Sequence, residues 1–187
     1  MAHARNKGFH ITGIEPNQQL LELSKQHYGF NSEIQNLPAE KVTEIKNKFD
    51  NITIIDVLEH IEDDVMLISN LKSLLSGNGR VVILVPHHPA LYGKRDKNIG
   101  HYRRYSQKEL FNKLKICGFK IIQWRTWNMI GVLPYWWAEK INKKEINSDV
   151  RTKQGGLNSF FDIWFKFVEN NLSLGWGLSL ICVAEPL

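Results

Sequence analysis

The chain has 187 residues, 43% hydrophobic and 23% charged, which suits one domain with a sizeable core and excludes disordered and collagen-like classes. A net charge of +5, from 24 basic and 19 acidic residues, is a mild excess that a solvated surface explains better than nucleic-acid binding. Cys117 and Cys182 form no C-x-x-C pair, the N-terminus lacks an apolar signal-peptide core, and no apolar run approaches a membrane span, so the expectation is a cytoplasmic protein without a zinc or disulfide framework.

In chain order, His10 to Ile14 reads as a short strand ending in Glu15. Pro16 suits a helix's first turn, Asn17 to Tyr28 follows with good helix formers, and Gly29 supplies the stop. Phe30 to Ile34 is a weaker strand, followed by the turn-like Asn36-Leu37-Pro38; Val42, Ile45 and Phe49 then recur at helical spacing. Ile52 to Ile55 is an apolar, β-branched run of the kind buried on both faces of a parallel sheet, and it delivers Asp56, Glu59 and His60 at its carboxyl end.

Asp63 or Asp64 caps a predicted helix striped by Val65, Ile68, Leu71, Leu74 and Leu75, ended by Gly77-Asn78-Gly79. Val81 to Val85 is a second apolar strand, stopped by Pro86. The loop from Pro86 to Tyr105 is long enough to expect function in it. Ser106-Gln107-Lys108-Glu109 is a capping box for a helix carrying Leu110, Phe111, Leu114 and Cys117, with Gly118 at its end and a strand from Phe119 to Thr126. All six Trp residues lie in the last third, at 124, 127, 136, 137, 164 and 176. Asn142 to Gly156 is polar, Leu157, Phe160, Phe161, Trp164, Phe165, Val168 and Leu172 share one helical face, and Leu178 to Ala184 closes the chain as a strand. Alternating strands and helices predict an α/β fold, a Rossmann-like, mostly parallel sheet with helices on both faces. The expected organisation is one domain, 1–187, with 127–175 as an aromatic-rich helical insertion before the last strand.

Several side chains have both a chemical and a bland reading. Glu15, at a strand end, could accept from a ligand's hydroxyls, or else serve a helix N-terminus. His60 and Glu59 suit acid–base work, although a bracing role is the better expectation. His87 and His88, after the Val81–Val85 strand, could deprotonate an oxygen or nitrogen nucleophile. Arg95, His101, Arg103 and Arg104 could pair with a substrate carboxylate or phosphate, or form a surface ion-pair cluster. Adjacent histidines on a strand do not generally face one ion, so no metal site is expected. Trp127 to Ala138 could line an apolar pocket or rest at a membrane interface.

Gly13-Ile14-Glu15-Pro16, Phe49-Asp50, Asp56-Val57-Leu58-Glu59-His60 and Leu74-Leu75-Ser76-Gly77-Asn78-Gly79 occur in the order found in class I S-adenosylmethionine-dependent methyltransferases. The chain most resembles the bacterial branch with a Gly-His-x-Arg-Arg-Tyr segment, here Gly100-His101-Tyr102-Arg103-Arg104-Tyr105, and the likeness extends to Gly177-Leu178-Ser179-Leu180. The resemblance implies an antiparallel closing strand, S-adenosylmethionine as cofactor, and Glu15, Asn36, Leu37, Asp56, Val57 and Leu58 as its binding residues. It implies His87, His88 and His101 as catalytic groups and Arg95, Arg103 and Arg104 as acceptor-binding groups. The acceptor is expected to be a small molecule, with a lipid-like or isoprenoid-like one and peripheral membrane contact as a minority reading. One departure stands out: the Asp-x-Gly-x-Gly turn and first strand that the family places before the ribose-binding acid have no counterpart in the fourteen residues before Glu15. The expectation is therefore an N-terminally truncated version with its first strand missing, and the rival is a non-catalytic, partner-binding remnant without cofactor affinity.

Overall fold

A computed structural model describes residues 1–137, 139, 164–169, 171 and 175–187. The chain divides into two compact units, Met1–Asn47 and Lys48–Leu187.

In the first unit, helix α1 (Ala2–Asn6) precedes strand β1 (Gly13–Ile14), helix α2 (Gln18–Tyr28) and strand β2 (Ile34–Gln35), which pairs with β1 in parallel. Pro16 and Asn17 precede the helix rather than join it, and Asn17 caps α2: its side-chain oxygen accepts the N–H groups of Gln19 and Leu20. Gly29 ends the helix in the left-handed conformation at φ 63°, returning its N–H to the Lys25 carbonyl. Leu21, Phe30 and Ile34 form a small buried cluster. Both strands are two residues long, shorter than the runs from His10 and Phe30 predict, because only Gly13↔Ile34 and Ile14↔Gln35 find ladder partners. Val42 lies in a 3₁₀ segment, Ala39–Glu44, and Phe49 belongs to the next strand, so the helical spacing of Val42, Ile45 and Phe49 does not mark one helix.

The second unit is a four-stranded sheet in the order β3-β4-β6-β5, built from β3 (Phe49–Ile55), β4 (Leu75–Pro86), β5 (Phe119–Trp127) and β6 (Ser179–Pro186). β3 and β4 are parallel, and β6 runs antiparallel to both β4 and β5, so three strands share one direction. The core centres on β4, where Val81, Ile83 and Val85 are fully buried and alternate with half-buried neighbours. Small side chains face them across the ladder: Ile83 pairs with Cys182 and Val81 with Ala184. Helices α3 (Asp64–Leu74) and α5 (Gln107–Ile116) pack together and against the sheet, burying Leu67, Ile68, Leu71, Leu110 and Leu114. Asp63 caps α3 through the Met66 N–H and Ser106 caps α5 through the Glu109 N–H.

Three expectations need correcting. β3 is not buried on both faces: Ile54 is buried, but Ile55, on the opposite face, is 58% exposed. β3 is an edge strand among the described residues, since it pairs only with β4. Gly77-Asn78-Gly79 does not end α3; the helix stops at Leu74, and the glycines lie within β4, whose first residue pairs with Phe49 before a register shift. Pro86 does not end β4 before the ladder does, because it still pairs with Ser179. The polar segment 142–156 and Leu157, Phe160, Phe161 and Leu172 lie outside the described residues; Phe165–Glu169 is a π-helical turn.

Candidate functional site

Two non-glycine residues with positive φ mark the carboxyl ends of the parallel pair: Asp56 (φ 51°) directly after β3 and His88 (φ 59°) just past β4. Such conformations cost of order 1–3 kcal/mol and gather where geometry serves a site. Asp56 donates its N–H to the Leu84 carbonyl, which holds the β3 end against β4 while the carboxylate turns into a cavity of about 430 Å³. A 3₁₀ turn, Leu58–His60, follows and brings Glu59 and His60 to the same cavity.

The opposite wall comes from the loop after β4. Its short helix α4 (Lys94–Asn98) places Arg95 and Asp96, and the following turn places His101 and Arg104. Tyr135, from helix α6 (Val132–Trp136), and Leu178 complete it. Asp96 is the hub: its carboxylate accepts Arg104 Nε at 2.9 and 3.0 Å, His101 Nδ1 at 3.0 Å, the Gly93 N–H at 3.1 Å and the Tyr135 hydroxyl at 3.1 Å. Burial alone would raise the Asp96 carboxyl, but the Arg104 hydrogen bonds and charge, with His101, hold it below the usual range. The Arg104 guanidinium also lies 4.4 Å from the Tyr135 ring centroid. Burial lowers the His101 imidazole despite the Asp96 hydrogen bond.

Glu59 is different in kind. Its side chain is fully buried, neither carboxylate oxygen has a hydrogen-bond partner among the described residues, and burial pushes its carboxyl up to about 7. His101 Nε2 lies 3.8 Å from its Oε1. The His60 and His101 rings meet edge-to-face with centroids 4.5 Å apart, and His60 Nδ1 sits 3.2 Å from the Gly100 carbonyl oxygen. Desolvation raises the Asp56 carboxyl as well.

The expected site residues thus separate. Asp56, Arg95, His101 and Arg104 line one cavity. Arg103 is not among its lining residues: it donates to the Glu62 carbonyl and pairs with Asp64 at 2.9 Å, tying the loop to the start of α3. His87 is buried, with Nδ1 2.7 Å from the Tyr105 carbonyl oxygen and its own carbonyl accepting from Arg104. His88 stacks on it at 4.0 Å and faces Trp176. Burial, then the His87 and Arg104 charges, press the His88 imidazole down to about 4, so it is neutral near pH 7. Val57 is half-buried, and Leu58 is wholly buried with its carbonyl accepting the Tyr105 hydroxyl, so the Leu58 side chain has no surface to offer a ligand.

In the first unit, Glu15 and Asn36 sit together at the ends of β1 and β2. The Asn36 amide donates to the Glu15 and Pro16 carbonyls, while Glu15 Oε1 accepts the Asn17 N–H and Oε2 is engaged by no described residue. Leu37 is buried. Asp96 and Tyr135 are absent from the sequence expectations: Asp96 sits in Lys94-Arg95-Asp96-Lys97, which reads as a solvated charge run, and nothing local marks Tyr135.

Residues 1–124 match a family model described as a methyltransferase domain. A ubiquinone biosynthesis O-methyltransferase from Aeromonas salmonicida (strain A449) is 26% identical over 91 residues, 46% of this chain and 38% of that protein, so the chain aligns with well under half of this curated relative. A S-adenosylmethionine-dependent methyltransferase from Archaeoglobus fulgidus is similar in fold, with a TM-score of 0.59 at 14% identity over 97% of this chain and 78% of that one. The Burkholderia thailandensis 1,6-didemethyltoxoflavin-N1-methyltransferase, solved with its substrate and S-adenosylhomocysteine, gives 0.58 at 16% identity over 99% and 64%. No helix among the described residues is long and apolar enough to cross a membrane.

Proposed function

The chain belongs to the S-adenosylmethionine-dependent methyltransferase-domain family, and on that premise we propose that it transfers a methyl group to an oxygen or nitrogen of a small polar acceptor seated in the cavity beyond β3 and β4. When bound, S-adenosylmethionine supplies the electrophilic methyl on its sulfonium. Glu15 fits that group at the point where a test is available: a strand-end carboxylate with one oxygen open can accept from ribose hydroxyls. Asp56 and Val57 are the corresponding strand-end groups of the larger unit.

The rest of the work falls to positioning and proton handling. Arg95, at the cavity wall, would orient an anionic or hydroxylated acceptor. The Asp96–His101 pair, locked by Arg104, holds one imidazole edge toward Glu59 at the place where an acceptor O–H or N–H would lose its proton. His87 and His88 support that wall from behind rather than act on the acceptor. The observation that carries this reading is the convergence of Asp56, Glu59, His60 and His101 on one cavity at the carboxyl ends of two parallel strands. The ionisable side chains around the cavity, Arg95, Arg104, Asp56 and His101 among them, also favour a small polar acceptor over a lipid-like one.

The test is formation of S-adenosylhomocysteine by the full chain against a panel of phenols, hydroxy acids and amines. Turnover with one class, lost in His101→Ala, supports the reading. A folded protein that binds the cofactor yet turns over none of them counts against it.

A further inference from the structure

We infer that Glu59, His60 and His101 form a binding site for a divalent transition-metal cation of the zinc class. One ligating atom from each lies within 4.8 Å of the other two. Zinc bonded to nitrogen and oxygen at about 2.0–2.1 Å would hold tetrahedral donors roughly 3.3 Å apart. The 3.8 Å between His101 Nε2 and Glu59 Oε1 therefore needs only a small side-chain adjustment to close.

Two independent features point to a ligand. The first is Glu59, wholly buried and with both oxygens unpartnered among the described residues. Leaving such a group bare is costly, and more so when it is charged. Arg104, the nearest buried cation, is taken up by Asp96. The second is the state of the two imidazoles. His60 Nδ1 faces the Gly100 carbonyl and His101 Nδ1 faces the Asp96 carboxylate, and both partners can only accept. Each Nδ1 must therefore carry the proton, which leaves both Nε2 lone pairs unspent. A carboxylate behind a histidine in this way orients metal-ligating imidazoles, and two imidazoles with one carboxylate suit Zn²⁺ or Co²⁺ better than Mg²⁺ or Ca²⁺. With three protein donors, a four-coordinate cation keeps one position for water or an acceptor oxygen, whose proton it would make easier to remove. That last role rests on the methyl-transfer reading; cation binding itself does not.

The full chain, stripped with chelator and dialysed, is titrated with Zn²⁺ by calorimetry and with Co²⁺ by visible absorption. The expected result is one cation per chain, with cobalt bands that Zn²⁺ displaces. His60 is exposed, so His60→Ala should fold normally by circular dichroism and bind at least about tenfold more weakly, while Asp96→Asn should weaken binding by roughly 10–100-fold. His27→Ala, on α2, should change nothing. Absence of stoichiometric binding overturns the inference, as does binding undiminished in folded His60→Ala and Glu59→Gln, which would assign it to surface histidines. Zinc binding without cofactor binding would defeat only the methyl-transfer reading; cofactor binding without zinc would defeat only this one.

Discussion

His101 donates its Nδ1–H to Asp96 at 3.0 Å, and the same carboxylate holds Arg104 Nε at 2.9 Å, so one buried acid fixes both the imidazole of the cavity and the loop that carries it. Asp96 is almost fully buried and Arg104 nearly so. Breaking a buried pair from one side leaves the other charge uncompensated, at a cost of about 3–5 kcal/mol. Asp96→Ala is therefore expected to lower the unfolding free energy by that amount in urea titrations. A loss below about 1 kcal/mol would mean that the hub is not structural.

Tyr105 ties the end of the same loop to the turn after β3. Its hydroxyl donates to Asp64 at 2.7 Å and lies 3.1 Å from the Leu58 carbonyl, deep in the core, and burial together with Asp64 pushes the phenol strongly up. Tyr105→Phe keeps the ring but removes the buried hydrogen bond to Asp64, while the Leu58 carbonyl keeps the Ile61 N–H at 3.3 Å. The expected loss is about 1–3 kcal/mol, read from chemical denaturation, with Lys113 still paired to Asp64 at 2.6 Å.

Stability should depend on the histidine pair after β4. An unfolded histidine titrates near 6.5, whereas His88 does so near 4 in the fold. Between those values the unfolded chain takes up a proton that the folded chain refuses, so this group's contribution falls as pH drops from 6.5 towards 4. Burial lowers His87 too and acts in the same direction. Glu59, raised to about 7, works oppositely: its contribution is lost as pH climbs from about 4.5 through 7. Comparing wild type with His88→Gln isolates the histidine. The variant should lose less stability between pH 7 and pH 4.5, measured by thermal melts across that range.

Glu59 carries a cost that the fold does not need. A buried carboxyl with unsatisfied oxygens costs about 1–3 kcal/mol, a cost that an apolar side chain of similar volume avoids. Glu59→Met is expected to raise the melting temperature of the chelator-treated protein while abolishing zinc binding. A lower melting temperature would show that its carboxylate has an internal partner after all.

The parts of this structure legible in the sequence are those with local causes. Asp63 and Ser106 cap helices because each acts on an N–H three residues ahead. The apolar run before Asp56 and the length of the loop after Pro86 both pointed to the cavity, because strand ends and long loops are where a sheet presents ligands. What stayed hidden depends on distant partners. Asp96 is buried only because Arg104 and Tyr135, the latter thirty-nine residues away, close over it. Arg103 and Arg104 are adjacent and chemically identical, and only the packing of the loop against α3 sends one to Asp64 and the other to Asp96. β1 and β2 are short for the same reason: pairing, not propensity, sets their ends.

Calorimetric titration of the full chain with S-adenosylmethionine decides whether it works as an S-adenosylmethionine-dependent enzyme. One saturable site per chain is expected, weakened roughly tenfold or more in Glu15→Gln, since charge-assisted hydrogen bonds to the ribose are worth about 1.5–3 kcal/mol. A folded, cooperatively melting protein that shows neither binding heat nor a melting shift with saturating cofactor would contradict it.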